Sequence, residues 1–268
     1  LKNKKIINEI KNLEEENNRI FIETYGLSDE LTSEIPIEEI TLTINPSYRY
    51  KGIPSDQKRW DRFKSDTMTE FLSYSVGCMM GRYSLDHPGL ILADSRESQE
   101  AQISAYEAKV GKQISNTKFK PDLDGIIPVL DGEWFEDDIV ARTREFIAVT
   151  FPESSVVENL RFIENSIGKD IRKYFCKDFY KDHLQTYKKR PIYWMVQSPN
   201  AGFACLIYLH RYTPETLLQV LNDYFRPYLQ KLEARLTLLD LDQVNDSLSK
   251  REQIAARKEA EKINKVIK

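Results

Sequence analysis

Two short runs in the second half of the chain decide the fold: Pro191-Ile192-Tyr193-Trp194-Met195-Val196-Gln197 and Phe203-Ala204-Cys205-Leu206-Ile207-Tyr208-Leu209. Both runs are rich in β-branched and aromatic residues, and their hydrophobicity follows a period of two residues, whereas the preceding chain follows the helical period. The segment between them contains Pro199 and Gly202, which are typical of a hairpin loop. The sequence therefore predicts a small antiparallel sheet around the hairpin 191–209.

Most of the remaining chain carries apolar residues at helical spacing. Helices are predicted over residues 2–25, 66–83, 136–150, 155–167 and 169–187, and another begins after an N-cap at Thr213. Short strands are predicted at Ile40–Ile44 and Gly89–Ala93, and residues 94–120 are predicted to form a loop. The predicted fold class is therefore α+β, helix-rich, with a small antiparallel sheet and a long C-terminal helical arm.

These elements divide the sequence into three predicted regions. Residues 1–44 form an N-terminal helix and connector, residues 45–212 an α+β region, and residues 213–268 the helical arm. The tail from Lys250 to Lys268 has seven basic and three acidic residues, which predicts a solvated helix. Because the chain begins at Leu1 and not at a methionine, we expect it to be a piece of a longer protein with a truncated arm.

The composition excludes several classes of protein. The 268 residues carry 39 Lys and Arg against 42 Asp and Glu, a net charge of −3, so the chain is not a bulk polycation. No apolar run approaches the roughly 18 residues of a membrane-spanning helix, and no secretory signal is visible. The three cysteines form no CxxC pair, which argues against a zinc site or a disulfide framework. We therefore expect a cytoplasmic protein without a membrane contact.

One tetrapeptide invites a catalytic interpretation. Asn45-Pro46-Ser47-Tyr48 resembles the Asn-Pro-Pro-Tyr loop of amino-methylating DNA methyltransferases, in which the Asn binds the target amine and the aromatic ring stacks on a flipped base. However, Ser47 replaces the second proline, and no glycine-rich cofactor loop follows a strand in the sequence. We therefore interpret the tetrapeptide as a plain Asn-Pro turn.

An acidic stretch invites a metal-site interpretation. The segment from Asp122 to Asp138 holds seven carboxylates and no basic residue. A metal-dependent nuclease would also need a nearby lysine, which is missing, while Glu136 to Asp138 lie where a helix N-terminus favours negative charge. Helix capping is therefore the preferred interpretation. The three histidines, His87, His183 and His210, are not spaced as a metal pair and are expected to be ordinary core or surface residues.

The segment from Asp170 to Arg190 is different because it combines positive charge with aromatic rings. Its seven basic and three acidic residues give a net charge of +4, and five tyrosines and phenylalanines lie between them. Basic residues that neutralise phosphates beside aromatic groups are typical of a nucleic-acid-binding surface. The alternative is an amphipathic helix with ordinary lysines on its solvated side.

Several longer motifs resemble one protein family. They are Phe71-Leu72-Ser73-Tyr74-Ser75-Val76-Gly77-Cys78-Met79-Met80-Gly81-Arg82-Tyr83, Trp134-Phe135-Glu136-Asp137-Asp138-Ile139-Val140, Asp170-Ile171-Arg172-Lys173-Tyr174-Phe175, Tyr187-Lys188-Lys189-Arg190-Pro191-Ile192-Tyr193-Trp194 and Leu206-Ile207-Tyr208-Leu209-His210-Arg211-Tyr212-Thr213-Pro214. The family is that of the PglX-type adenine-specific DNA methyltransferases of bacteriophage-exclusion (BREX) defence systems, which are related to type II restriction–modification methylases.

The resemblance implies a role for the chain. The parent enzyme would methylate an adenine amine with S-adenosylmethionine, and its cofactor loop and catalytic motif lie upstream of the matched region. The chain would then be a C-terminal, target-recognition part that holds double-stranded DNA, with no catalytic, cofactor or metal residues of its own. The candidate DNA-binding residues are Arg172, Lys173, Lys177, Lys181, Lys188, Lys189, Arg190 and Arg211. The alternative is a scaffold that docks other phage-defence proteins.

Overall fold

The computed structural model describes residues 2–94, 98–245 and 247–267. The chain forms two compact units, residues 1–69 and residues 70–268. In the first unit, α1 (Lys2–Thr24) is followed by a 3-10 turn (Ile37–Glu39) and the short helix α2 (Pro46–Arg49). The first predicted helix is thus confirmed.

The predicted strand Ile40–Ile44 is wrong, because the chain bends there to enter α2. Asn45 caps this helix: its side chain accepts a hydrogen bond from the Ser47 amide at 3.1 Å. The same side chain donates to the carbonyl oxygens of Ile37 at 2.7 Å and Ile40 at 2.9 Å. The amide that a methyltransferase would use on its substrate is therefore committed to the turn, which confirms the interpretation of the tetrapeptide as an Asn-Pro turn.

The second unit contains most of the helices and the sheet. The helices are α3 (Asp56–Met79, which begins in the first unit), α4 (Gln99–Val110), α5 (Ile139–Thr150), α6 (Val156–Ile167), α7 (Ile171–Tyr174), α8 (Tyr180–Thr186), α9 (Thr216–Gln219), α10 (Arg226–Gln243) and α11 (Lys250–Ile267). Two π turns, Phe175–Phe179 and Val220–Phe225, join α7 to α8 and α9 to α10. Two 3-10 turns are Ile114–Asn116 and Leu209–Arg211.

The sheet has three antiparallel strands, β1 (Ile126–Pro128), β2 (Tyr193–Gln197) and β3 (Ala204–Tyr208), in the order β1-β3-β2. The central strand β3 pairs Ile207 with Ile126 on one side and with Trp194 on the other. The predicted hairpin is confirmed, and so is the helix-rich α+β class with its small antiparallel sheet.

Each face of the sheet packs against helical chain. On one face, Cys205 and Ile207 contact a cluster that includes Tyr224 of the π turn before α10, Tyr228 of α10 and Ile263 of α11. On the other face, Tyr193 and Tyr208 have ring centroids 5.4 Å apart, and the Tyr208 hydroxyl donates to the carbonyl oxygen of Leu92. Burial on both faces explains why β3 is a continuous apolar run.

The helix predicted over residues 250–268 is confirmed for the described part of that range, but the prediction that it is wholly solvated is wrong. α11 folds back on α10, and Ala256, Ala260 and Ile263 are buried there. Its end is held by the hairpin loop, because the Asn200 side-chain amide donates to the carbonyl oxygens of Lys265 and Val266, both at 3.0 Å. The small residues at four-residue spacing allow this close packing on the core.

Two other local predictions are also wrong. Gly89–Ala93 forms no strand, and its backbone instead bonds to the turn after α3, with the Leu92 amide donating to the Gly81 carbonyl at 3.1 Å. The predicted loop 94–120 contains α4, although residues 95–97 lie outside the described residues. One buried residue of α4 is Gln102, so the helix has no continuous apolar stripe to reveal it.

Candidate nucleic-acid interface

The helical segment from α7 to α8 separates its charged residues from its apolar ones. Lys173, Lys177 and Lys181 are exposed and stand four residues apart, which places them in one row. A π turn takes more residues than an α turn, so a strict four-residue spacing stays in line across it. The opposite row is buried and contains Phe175, Phe179 and His183.

The acidic residues of this segment are all engaged within the protein. Asp170 caps α7 by accepting a hydrogen bond from the Lys173 amide at 3.0 Å. Asp178 forms an ion pair with Lys169 at 2.7 Å, and Asp182 accepts a hydrogen bond from the Tyr174 hydroxyl at 3.1 Å. Only Asp178 is thus paired with a cation, while Asp170 and Asp182 keep their charge and have structural roles; the exposed row itself carries three lysines.

The turn after α8 holds two lysines in a conformation that usually selects glycine. Lys188 has a φ of 49° and Lys189 a φ of 63°. Their amides close the helix end by donating to Gln185 O at 3.1 Å and Leu184 O at 2.8 Å. The helices α4 and α6 also end in a left-handed residue, but there it is Gly111 and Gly168. A left-handed residue other than glycine costs of order 1 kcal/mol, so the turn after α8 is strained.

Lys188, Lys189 and Arg190 are all exposed, and we call them the basic turn. Within the described part of the chain, neither they nor the row Lys173, Lys177 and Lys181 form a side-chain hydrogen bond or ion pair. Six of the eight predicted DNA-binding residues are therefore exposed and without such a partner, although Lys177 contributes, after Lys262 and Arg172, to the lowered pKa of Asp131.

The remaining two predicted residues are committed to the interior. The Arg172 guanidinium donates to the carbonyl oxygens of Leu130 at 3.0 Å and Gly132 at 2.8 Å, and it pairs with Asp138 at 2.6 Å. These contacts fix the loop between β1 and α5, and they leave the guanidinium in the fold rather than on the surface.

Arg211 is only 3% exposed. Its guanidinium donates to Gln102 Oε1 at 2.9 Å, to the Asp122 carbonyl at 2.6 Å and to the Leu123 carbonyl. Burial lowers the pKa of Arg211, although a guanidinium remains protonated in proteins. Neither arginine belongs to the exposed basic surface.

His183 fixes the start of β2 to α8. Its Nε2 accepts hydrogen bonds from the amides of Ile192 at 3.1 Å and Tyr193 at 3.2 Å. Its ring also stacks on Tyr193, with ring centroids 4.8 Å apart. Burial lowers the pKa of His183 to about 4, with a smaller contribution from Arg82. The imidazole is therefore neutral at physiological pH, as an acceptor at Nε2 must be.

Tyr193 and Trp194 lie on opposite sides of β2, as expected for neighbours on a strand. Tyr193 is 2% exposed, and burial raises its pKa well above the usual value. Trp194 is 50% exposed. Trp194 is not among the residues predicted to bind DNA, and the alternation of the strand predicts only that it and Tyr193 lie on opposite sides.

The acidic stretch has structural roles. Asp138 caps α5 by accepting hydrogen bonds from the amides of Val140 at 2.9 Å and Ala141 at 2.8 Å, which confirms the capping interpretation at this residue. Asp124 accepts from the Tyr224 hydroxyl at 2.8 Å, and burial together with the neighbouring Asp122 raises the pKa of Asp124. Among the described residues, no three His, Cys, Asp or Glu side chains are grouped to hold a metal ion.

Among the described residues, the sheet and its glycines do not form the usual cradle for S-adenosylmethionine. A glycine-rich loop between a parallel strand and a helix is the usual cradle for such a nucleotide-like cofactor. The sheet here is antiparallel, and Gly132, in the loop after β1, has the Trp134 indole packed where a side chain would begin, 2.7 Å from an ideal Cβ. No step of methyl transfer is therefore assigned to these residues.

Comparison with known proteins gives relatives from two bacteria. The chain is 38% identical over 258 residues to the adenine-specific methyltransferase BrxX of Escherichia coli O9:H4 (strain HS). The matched region covers 91% of this chain and 20% of BrxX. The chain is also 37% identical over 250 residues to the adenine-specific methyltransferase PglX of Lacticaseibacillus casei (strain Zhang). That match covers 89% of this chain and 18% of PglX. The chain is a relative of PglX-type methyltransferases. The resemblance predicted from the sequence motifs is thereby confirmed.

The chain spans about a fifth of the length of these PglX-type relatives. No family model matches it. In the part of the chain that the structure describes, no helix is long and apolar enough to cross a membrane.

Proposed function

We propose that this chain is the DNA-binding, target-recognition segment of a site-specific adenine methyltransferase that uses S-adenosylmethionine and acts in a BREX phage-defence system. In this proposal the catalytic core lies outside the matched region, and the chain holds the double-stranded DNA while the core transfers the methyl group. The names of the PglX-type relatives support the adenine and methyltransferase parts of the proposal.

The single observation that carries the DNA-binding part is the distribution of charge between Asp170 and Arg190. The three acids are engaged in a cap, an ion pair and a hydrogen bond, while six cations are exposed and form no side-chain hydrogen bond or ion pair among the described residues. Phosphate oxygens are the natural partners of such cations, and contacts to them provide much of the affinity of DNA-binding proteins.

The proposed surface consists of the row Lys173, Lys177 and Lys181 and the basic turn. Arg172 and Arg211 are left out of it, because their guanidinium groups already bind carbonyl oxygens of the protein.

Salt dependence provides the test. Replacing Lys188, Lys189 and Arg190 together by alanine should reduce the slope of log Kobs against log salt for duplex DNA by about 2–3, at roughly 0.9 for each lost phosphate contact. The loss of affinity should be similar for different DNA sequences, because phosphate contacts carry no sequence information.

A matched control removes the same charge elsewhere. Lys250, Arg251 and Lys258 of α11 are exposed, and their replacement by alanine should leave the slope unchanged. If this control lowered the slope and the basic-turn variant did not, the DNA-binding surface would be on α11. Binding that did not depend on salt at all would contradict the proposal and favour a protein-docking role.

A further inference from the structure

We propose that the Trp194 indole is the base-contacting element of this surface and stacks on a base pair at a step where the duplex opens easily. This inference rests on the proposed function, because it presupposes that the chain binds duplex DNA. It adds a residue that reads the deformability of the DNA to a surface that otherwise contacts phosphates.

The first observation is that Trp194 differs from the other two tryptophans. Trp60 packs edge-on against Phe63 with ring centroids 5.8 Å apart, and Trp134 packs in the same way against Tyr228 at 5.6 Å. Among the described residues, neither an aromatic ring nor a cationic side chain packs against the Trp194 ring, and half of its surface is exposed. A large apolar ring left without a partner is available to stack on a base.

The second observation is that Trp194 stands on a rigid support. Its neighbour Tyr193 is buried, and the strand is paired on one side through Trp194 and Ile207. His183 binds the two preceding amides, and Pro191 restricts the backbone before them. Because the backbone is fixed, little conformational entropy is lost when the indole contacts DNA.

The third observation is the short distance to the basic turn. Trp194 is four positions after Arg190, and an extended chain spans about 13 Å over that length. The major groove of B-DNA is about 12 Å wide and the minor groove about 6 Å. When the basic turn contacts one phosphate strand, the adjacent groove is therefore within the distance that separates the turn from the indole.

The strained lysines fit the same arrangement. Lys188 and Lys189 occupy positions where α4 and α6 have glycine, so the turn keeps its positive side chains at the expense of a relaxed backbone. Strain of this kind is concentrated at functional sites. A turn fixed by two helix-end hydrogen bonds also fixes the distance between its charges and the indole.

Insertion of an apolar side chain requires partial unstacking of a base step. Pyrimidine–purine steps such as TA unstack most easily, whereas A-tracts are stiff. The chain should therefore prefer a duplex of repeated TA steps over an A-tract duplex of the same length and charge.

The first measurement is fluorine NMR of the full chain labelled with 5-fluorotryptophan. The three resonances are assigned with the single variants Trp194→Phe and Trp134→Phe. Addition of the TA duplex should shift or broaden the Trp194 resonance and leave the Trp134 resonance in place, because Trp134 lies against the core.

The second measurement is affinity at fixed salt for the two duplexes. Trp194→Leu keeps an apolar side chain but cannot stack, and it should lose about tenfold in affinity for the TA duplex while its affinity for the A-tract changes little. Trp194→Phe should retain most of the preference. Thermal unfolding of each variant at the wild-type temperature verifies that the fold is kept.

The outcomes separate this inference from the proposed function. Salt-dependent binding with an unmoved Trp194 resonance, or with an unchanged TA preference in Trp194→Leu, would overturn the role of Trp194 and leave the DNA-binding surface in place. If neither duplex is bound, both proposals are wrong.

Discussion

Two sets of basic residues in this protein look alike in the sequence and differ completely in the structure. Arg172 and Arg211 lie beside aromatic residues, as do Lys188, Lys189 and Arg190. The first two place their guanidinium groups on carbonyl oxygens of distant loops, whereas the basic turn extends into solvent. The five residues share local composition, so composition did not decide their roles.

The difference shows that a buried arginine is selected by the carbonyl groups around it. The acceptors are carbonyl oxygens of loops, outside the regular hydrogen bonding of the strands and helices. They belong to Leu130 and Gly132 for Arg172, and to Asp122 and Leu123 for Arg211. A planar group with five donors spread over three nitrogens can reach carbonyls of separate loops, whereas the three donors of a lysine all leave from one nitrogen. The basic turn has lysines at two of its three positions, and they serve no carbonyl.

The strongest test of this comparison is Arg211→Ala. Removal of the guanidinium leaves Gln102 and two loop carbonyls without donors in a buried site, and should lower the free energy of unfolding by about 3–5 kcal/mol. Urea unfolding at neutral pH measures this loss of unfolding free energy. Arg190→Ala is the matched control and should change stability by less than about 0.5 kcal/mol. Equal effects of the two variants would remove the distinction between the two sets.

Tyr193 and Trp194 give the same contrast within one strand. Tyr193→Ala should cost about 3–5 kcal/mol of unfolding free energy, because it removes a buried ring between His183 and Tyr208. Trp194→Ala should cost much less, since half of the indole is exposed. Parallel melting curves of the two variants are the measurement. If both variants melted at the wild-type temperature, the strand assignment would be wrong.

His183 makes the support of β2 sensitive to acid. Its pKa is about 4 in the folded protein and about 6.5 as an unperturbed group, so between these values the unfolded chain binds a proton that the folded chain does not. The stabilisation is therefore complete above pH 6.5, falls by about 3 kcal/mol as the pH drops to 4, and changes no further below that pH.

Urea unfolding at pH 7 and pH 4.5 measures this loss against His183→Gln, whose carbonyl can accept the same amide bonds without titrating. The variant should lose less stability than the wild type over that interval. Identical pH dependence in the two proteins would mean that His183 is not the sensitive group.

Asn200 provides a smaller effect at the far end of the hairpin. Its replacement by alanine removes two hydrogen bonds to the end of α11 and should cost about 1 kcal/mol. Hydrogen exchange should show faster opening at the last turn of α11, with the amides of α8 unaffected. An unchanged rate there would mean that the hairpin loop does not hold the helix end.

The smallest expected effect is a gain. Lys189→Gly relieves the left-handed strain but adds freedom to the unfolded chain, so stability should rise by roughly 0.5 kcal/mol. DNA affinity should fall at the same time, since a phosphate contact is lost. The control is Lys177→Gly in the π turn, where there is no left-handed strain to relieve, so this variant should lower stability. A rise in stability together with unchanged DNA affinity would separate the strain from DNA binding.

The sequence predicted those elements whose signal is local. The hairpin was predictable because its apolar residues alternate, and α6 because Gly168 ends a regular apolar stripe. The helix α4 could not be predicted in this way, because Gln102 takes a core position and is bonded to Arg211, 109 residues further along the chain. A buried polar pair disrupts the apolar pattern in both of its segments.

The candidate site follows the same rule. The basic row and the basic turn were predictable from charge and spacing alone. The engagement of Arg172 within the fold was not predictable, because the carbonyl groups that it binds lie 40 and 42 residues away in the sequence. The exposure of Trp194 lies between these cases, because the strand assignment places it opposite Tyr193 without deciding which of the two is exposed.

The π turn at Phe175–Phe179 sets the rotational phase of everything that follows it. A helix turns by about 100° for each residue, so the loss of one residue between Asp170 and Tyr180 would rotate α8 by that angle against the sheet. His183 would then point away from the two amides that it binds, and Lys181 would leave the row that it shares with Lys173 and Lys177. The length of this segment is therefore as constrained as its composition, and the register between the charged row and β2 depends on a count of residues.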